Sequence, residues 1–366
     1  MASCFGDRLR VSIYGESHGN GIGALIEGLP AGELIDFDEL MRFMERRQGG
    51  RNALSTARKE PDVPEFVSGI FQNRTTGFPV CIQIANTNTR SGDYNNLAAT
   101  PRPSHADFTA FAKWGSAVDM RGGGHFSGRL TAPLCAAGGI AKQILSKHKI
   151  YVGAHLSSVG SINDEPFPMV PDPCFFDEIA EKEFPVISDT CGEQMQQEIL
   201  AARADADSVG GTIECMITGL PAGVGDPMFD GIESSLAKAL FGIPAVKGVE
   251  FGDGFALAQM RGSQANDPFC IDDGCNVRTK TNRNGGILGG ITTGMPVRFR
   301  VCIKPTPSIG KPQESVLLDS VNQNTVIEIK GRHDPCIAQR AVPVIEAAAA
   351  LVTLDMLLCD GLFSNE

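Results

Sequence analysis

One heptapeptide nearly repeats, and it limits the folds open to this chain more than any other feature. Ile26-Glu27-Gly28-Leu29-Pro30-Ala31-Gly32 recurs as Ile217-Thr218-Gly219-Leu220-Pro221-Ala222-Gly223. Each copy follows a strand-like run, at residues 23–26 and 211–217. Each then leads through an acidic start into an amphipathic helical pattern, at residues 36–47 and 226–241. Leu-Pro-Ala-Gly suits the turn between them, because proline presets φ and glycine permits φ > 0. Chance recurrence of a turn motif is the competing explanation, and the shared flanks argue against it. Two strand–turn–helix units predict an α+β fold: a single large β-α-β sandwich domain with internal pseudo-duplication, spanning residues 1–366.

Two further helices read as buried. Residues 131–146 are rich in alanine and glycine, which lets neighbours approach the backbone. Residues 341–358 are apolar on nearly every side until the last turn, which suits a core or subunit-interface helix. Strands are expected at 80–85, 212–217 and 296–303 from β-branched content and alternation. Residues 161–197 differ: Pro166, Pro168, Pro171 and Pro173 among acidic and aromatic residues predict an irregular surface excursion. It should end in a short helix near 194–204 and carry no catalysis.

Composition narrows the function. The formal charge of −11 excludes the net basic footprint of a nucleic-acid-binding protein. Local arginine clusters can still hold an anionic small molecule against a distant acidic surface. Eleven cysteines, an odd count without a CxxC pair, fit free thiols in a reducing cytoplasm. The N-terminus lacks the apolar core of a signal peptide, and the longest apolar run, near 344–352, falls short of the roughly 20 residues of a membrane span. A soluble cytoplasmic protein is expected, with neither nucleic acid nor membrane as partner.

Chemistry concentrates on turns. His18 stands in Gly15-Glu16-Ser17-His18-Gly19, and His105 in Arg102-Pro103-Ser104-His105-Ala106-Asp107; the chain has only six histidines. Each reads either as a histidine satisfied by local hydrogen bonds or as an acid–base group beside an anion. Neither has a partner at metal-ligand spacing, so no metal is expected. Arg46, Arg47 and Arg51, with Arg58 and Lys59 beyond, form the densest basic patch, a helix-end surface charge or an anion clamp. Gly122-Gly123-Gly124-His125-Phe126-Ser127-Gly128-Arg129 feeds the helix at 131, and a glycine turn at a helix N-terminus suits a phosphate. The Gly19-Asn20-Gly21-Ile22-Gly23 run enters a strand instead of a helix, which speaks against a dinucleotide fingerprint, and no Walker loop occurs.

Taken together the pieces resemble the chorismate synthase family from Gly6 to about Leu358. The boxes GESHG, RPSHAD, GGG, DSVGG (207–211), AVKGVEFGDGF (245–255), NGGILGGITTG (284–294), KPTPS and GRHDP stand in that family's order. The resemblance implies conversion of 5-enolpyruvylshikimate 3-phosphate to chorismate by 1,4-anti elimination. It implies reduced FMN as cofactor, NADPH only indirectly through flavin reduction, and a homotetramer. Bifunctional relatives reduce their own flavin; with no extra domain and no clear nicotinamide fingerprint, an external flavin reductase is expected here. By the same resemblance His18 protonates or binds the leaving phosphate, and His105 sets the charge at flavin N1. Asp334 and Ser17 assist transfer of the ring proton. Arg46, Arg47, Arg51, Arg129 and Arg332 are the expected substrate ligands. The expected FMN contacts are His125, Phe126 and Ser127; Pro244, Ala245 and Gly289; and Arg332 with Lys304, Pro305, Thr306, Pro307 and Ser308. The chain departs from the family at the glycine loop, where His125, Phe126, Gly128 and Leu130 replace the common Arg, Ser, Ala and Glu. The basic patch departs too, since a second family arginine is out of register unless Arg51 substitutes. The rivals are a flavin-independent phosphate lyase or enolpyruvyl transferase, and an FMN-binding protein without catalysis.

Overall fold

The computed structural model describes residues 3–50, 54, 60–87, 100–318, 323–329 and 334–362. Strands β1 (Cys4–Phe5), β2 (Arg10–Gly15), β3 (Gly21–Glu27), β4 (Glu65–Ser68) and β5 (Val80–Ala85) make an antiparallel sheet in the order β1-β2-β3-β5-β4. Strands β6 (Tyr151–Val159), β7 (Ile162–Asn163), β8 (Gly211–Thr218), β9 (Val246–Phe251) and β10 (Val297–Ile303) make a second, in the order β9-β10-β8-β6-β7. The helices are α1 (Phe37–Glu45), α2 (Asp107–Trp114), α3 (Thr131–Lys147), α4 (Pro173–Glu181), α5 (Asp189–Ala204), α6 (Ile232–Phe241) and α7 (Ala338–Cys359).

The duplication is written in the topology. Along the chain, β2, β3, α1, β4, β5 and α3 answer to β6, β8, α6, β9, β10 and α7. Across the sheets, β2-β3-β5-β4 answers to β6-β8-β10-β9. The repeated turn follows the same strand in each half, with φ of +90° and +85° at Gly28 and Gly32 and of +82° and +102° at Gly219 and Gly223. A Cβ on Gly28 would come 1.9 Å from the Arg8 carbonyl oxygen, and one on Gly219 2.0 Å from that of Lys149. Both turns therefore need glycine for conformation and for space.

Helix α3 packs on β3 and β5 with α1 beside it, α7 packs on β6 and β8 with α6 beside it, and the two central helices pack on each other. Layers of sheet, helix, helix and sheet result, with Ile22, Ile82, Ile140 and Phe299 fully buried between them. By length and composition α7 is apolar enough to cross a membrane, and it is longer than the run read from sequence. It is buried inside the fold as a core helix.

Some local expectations change. Helix α6 begins at Ile232 and not near 226, because residues 225–231 turn through positive φ at Gly225 and Met228 before Gly231 caps the helix. The proline-rich excursion carries helix over about half of its length: Asp172 caps α4 with Pro173 in its first turn, where a missing N–H costs nothing, and α5 begins at Asp189. Buried His155 anchors that region, bonded to Asp164 and Glu214 at 3.0 Å each. The glycine of Gly23 lies inside β3, where a Cβ would strike the Tyr14 ring at 2.2 Å.

Between α3 and α7 a Cβ on Gly138 would sit 2.3 Å from the Ala347 Cβ and 2.4 Å from its Cα. Gly138→Ala is therefore expected to lower unfolding stability by about 1–3 kcal/mol through overpacking. Urea titration checks this, and a loss within experimental error would mean the crossing is not tight.

Candidate active site

The N-terminal ends of α3 and α7 open onto one cleft of about 1410 Å³. Its walls come from the turn after β2, the loops at 102–106 and 117–130, residues 238–247 after and within α6, and the loop 304–308 after β10. A cavity this large exceeds the roughly 300–1,000 Å³ of a single ligand pocket, so it has room for two molecules side by side. Two helix N-termini facing it favour negative charge.

The glycine loop runs between the two histidines. A Cβ on Gly122 would come 2.1 Å from Cε1 of His18 and 2.9 Å from Oγ of Ser17, and one on Gly123 would come 3.3 Å from Nε2 of His105. All three glycines, Gly122 to Gly124, have positive φ. The loop can pass this close only because it has no side chains. The Ser17 N–H donates to the Gly124 carbonyl at 3.1 Å. Ser17 Oγ is fully shielded and has no hydrogen-bond partner among the described residues.

His105 Nδ1 lies 2.8 Å from Asp107 Oδ1, and Arg102 grips the same carboxylate through Nε at 2.7 Å and Nη2 at 2.8 Å. Burial pushes the Asp107 carboxyl up, but the hydrogen bonds from Arg102 and His105 outweigh it and hold it well below the usual range. The anchored Nδ1 leaves Nε2 on the cleft side, beside Gly123.

The basic patch splits in two. Arg47 faces the cleft and pairs with Asp62 at 3.2 Å; burial, only partly offset by Asp62, lowers its pKa to about 10. Arg129 bonds Asp62, donates Nε to Asn86 Oδ1 at 3.1 Å and donates Nη2 to the Ala85 carbonyl at 3.3 Å. Arg46 turns away from the cleft. Its fork holds Glu346 of α7 at 2.6 Å and 3.0 Å, so it is a core residue and not a substrate ligand. Arg51 and Arg332, with Arg58 and Lys59, lie outside the described residues.

Asp334 lines the cleft and accepts a hydrogen bond of 2.5 Å from Arg340, whose Nε donates to the Arg47 carbonyl at 2.9 Å. Lys304 donates to the Ser104 carbonyl, and burial with neighbouring Lys247 lowers its pKa. Ala245, at φ +73°, lines the wall with Pro244, Thr306, Pro307 and Ser308. Pro305 is not part of the lining. Gly289 stands apart, in the hairpin Ile287–Leu288 and Ile291–Thr292 beside the second repeated turn.

Phe126 and Ser127 line the cleft, Phe126 stacking 6.0 Å from Trp114. His125 lines it as well, but its ring nitrogens are engaged by the protein: Nδ1 lies 2.7 Å from the Gly15 carbonyl and Nε2 2.7 Å from Ser3 Oγ. That geometry argues against a free cation at this position. Reading by motif missed Glu60, Asp62, Lys238, Lys247, Arg340 and Trp114, all in the cleft wall. The acid pair Glu60 and Asp62 just beyond the arginine patch was the available signal for two of them; the others carry none in isolation.

A family model described as chorismate synthase matches residues 9–358. The chorismate synthase of Lancefieldella parvula is 45% identical over 369 residues, covering 98% of this chain and 96% of the relative. That of Methanocella arvoryzae is 46% identical over 364 residues, covering 98% and 95%. A crystal structure of a chorismate synthase superposes with a TM-score of 0.77 at 27% identity, covering 97% of this chain and 93% of the other.

The Asp107 shift sets a pH dependence. A carboxyl whose folded pKa is depressed stabilises the protein above its unfolded value, near 4, and loses that contribution as pH falls through the folded value. Asp107→Asn should cost about 1.5–3 kcal/mol at neutral pH, the range for a hydrogen bond to a charged group. The difference from wild type should shrink below about pH 4. Urea unfolding at both pH values tests it; a difference that stayed constant would remove the electrostatic cause.

Proposed function

Since this chain belongs to the chorismate synthase family and is a chorismate-forming lyase of aromatic amino-acid biosynthesis, we propose that the cleft binds reduced FMN beside 5-enolpyruvylshikimate 3-phosphate. The observation that carries the proposal is that His105 and Asp334 line one cavity whose other walls carry Arg47, Lys247 and Lys304, while His18 packs against Gly122 of that wall and is not itself part of the lining. The residues present fit a flavin nucleotide. Trp114, Phe126, Ile337 and Val344 offer apolar faces, and Lys304 offers charge. Thr306 Oγ1 is shielded without a hydrogen-bond partner among the described residues. When bound, the reduced flavin supplies electron density for breaking the carbon–oxygen bond, with no net redox change.

The chain's own residues handle protons and charge. His18 donates a proton to the departing phosphate or binds it as imidazolium. Arg47 adds a positive charge to the same cleft, and Arg129 holds the wall through Asp62 and Asn86. His105, oriented by Asp107 and Arg102, presents Nε2 and sets the charge at flavin N1. Asp334, held by Arg340 and assisted by Ser17, serves the ring proton. Lys304, Pro307 and Ser308 are the FMN contacts we assign on the loop after β10, with Pro244 and Ala245 opposite. Exclusion of water between these groups strengthens each charge interaction.

We assign the enzyme to the cytoplasm as a homotetramer; the exposure of Phe229 and Phe255, both 84%, leaves apolar surface for subunit contact. We assign flavin reduction to a separate reductase; the glycine run at 19–23 passes from a bend at Gly19 and Asn20 into strand β3.

Release of phosphate from the substrate with chemically reduced FMN under anaerobic conditions is the decisive assay. His18→Ala and His105→Ala should each lower turnover by about 10²–10⁴, with folding retained since both stand on turns. A variant keeping more than about half of wild-type turnover would lose its proton-transfer role. NADPH with oxidised FMN should give little turnover beside dithionite-reduced FMN; equal rates would mean that the chain reduces its own flavin.

A further inference from the structure

We infer that His125 is a positioning residue that pins the glycine loop to the His18 turn, and so sets the placing of His18 and His105 from within the cleft wall. Residues 15–17 and 124–125 exchange hydrogen bonds. His125 Nδ1 meets the Gly15 carbonyl at 2.7 Å, and the Ser17 N–H meets the Gly124 carbonyl at 3.1 Å. A carbonyl can only accept, so Nδ1 carries the proton, and in the neutral ring Nε2 accepts from the Ser3 hydroxyl at 2.7 Å. The pin thus joins the N-terminal segment, the end of β2 and the glycine loop.

Immediately before His125, Gly122 is wedged against the His18 ring and Gly123 against His105 Nε2. The backbone of these glycines is the spacer between the two imidazoles. Glycines at positive φ cannot hold such a spacer by themselves, because nothing in their own side chains restricts them. A hydrogen-bonded side chain adjacent to them can, and His125 is the residue there with both ring nitrogens engaged outside the loop. An arginine at this position lacks an acceptor for the Ser3 hydroxyl and has a longer, more flexible stem.

The inference deepens the reading of His18 and His105 as acid–base groups and rests on it for its kinetic consequence. His125→Ala should lower kcat about 10- to 100-fold, the scale of a small misplacement of reacting groups. KM for the substrate should change less. His125→Asn keeps a donor where Nδ1 stands and should recover most of the loss. Ser3→Ala should produce a smaller drop alone and no further drop on His125→Ala, a non-additive cycle.

The imidazole NMR signals of His18 and His105, read in protein without substrate or flavin, should shift in His125→Ala and return in His125→Asn. They report placement even where turnover proves indifferent to either histidine, so this inference and the proposed acid–base roles fail separately. Wild-type kcat in His125→Ala, or unmoved His18 and His105 signals there, overturns the pin. So does a loss confined to FMN affinity that weakens from about pH 6 to about pH 8, since that is the behaviour of a histidine cation touching the ligand directly.

Discussion

The close crossing of α3 and α7 is the contact on which the remaining architecture depends. Gly138 has no side chain, and Ala347 fills the space it leaves. Two helices pressed this near hold the two sheets at one separation and bring both helix N-termini to the same end of the molecule. Beside the crossing, Glu346 is buried in a mostly apolar helix. Burial opposes its charge, yet Arg46 and Lys142 outweigh that and keep the carboxyl below its usual range. A buried carboxylate with two cations adds little net stability over an apolar core, but it penalises any register in which its partners are absent. At the far end of α7, Asp355 accepts the backbone N–H groups of Asp7, Arg8 and Leu9, which ties the N-terminal segment to the same helix.

The cleft inherits its chemistry from this frame. Helix N-termini cannot satisfy their own first N–H groups, so the end where α3 and α7 begin is electropositive before any side chain is counted. Cations are added there and restrained by carboxylates: Asp62 stands between Arg47 and Arg129, Asp107 joins Arg102 to His105, and Asp334 pairs with Arg340. A chain with a net charge of −11 thus keeps a cationic pocket, because the acids inside it orient the arginines while the bulk of the negative charge lies elsewhere.

How much of this was legible in the chain depends on range. The repeated turn, the capped start of α1 at Asp36 and the strands at 80–85 and 211–218 follow from residues that act on their immediate neighbours. Such signals survive in a linear string. The start of α6 and the helicity of α4 were missed, since a proline cluster or an acidic run reads alike in a loop and in the first turn of a helix. In the site, the histidines and the glycine loop were visible as motifs. Their opposition across the loop was not, and neither was the turning of Arg46 toward Glu346, 300 residues further along the chain.

By itself, then, the sequence determined the duplicated strand–turn–helix units, the buried character of two helices, and the residue types available for acid–base and anion chemistry. Periodicity, turn residues and local charge are enough for those. Only the tertiary structure decided which arginines face the cleft, what engages His125, and that Gly289 stands apart from the site. Partners in a folded chain are chosen by distance in space and by the cost of leaving a buried charge or donor unmatched. Neither quantity exists until the two central helices have met.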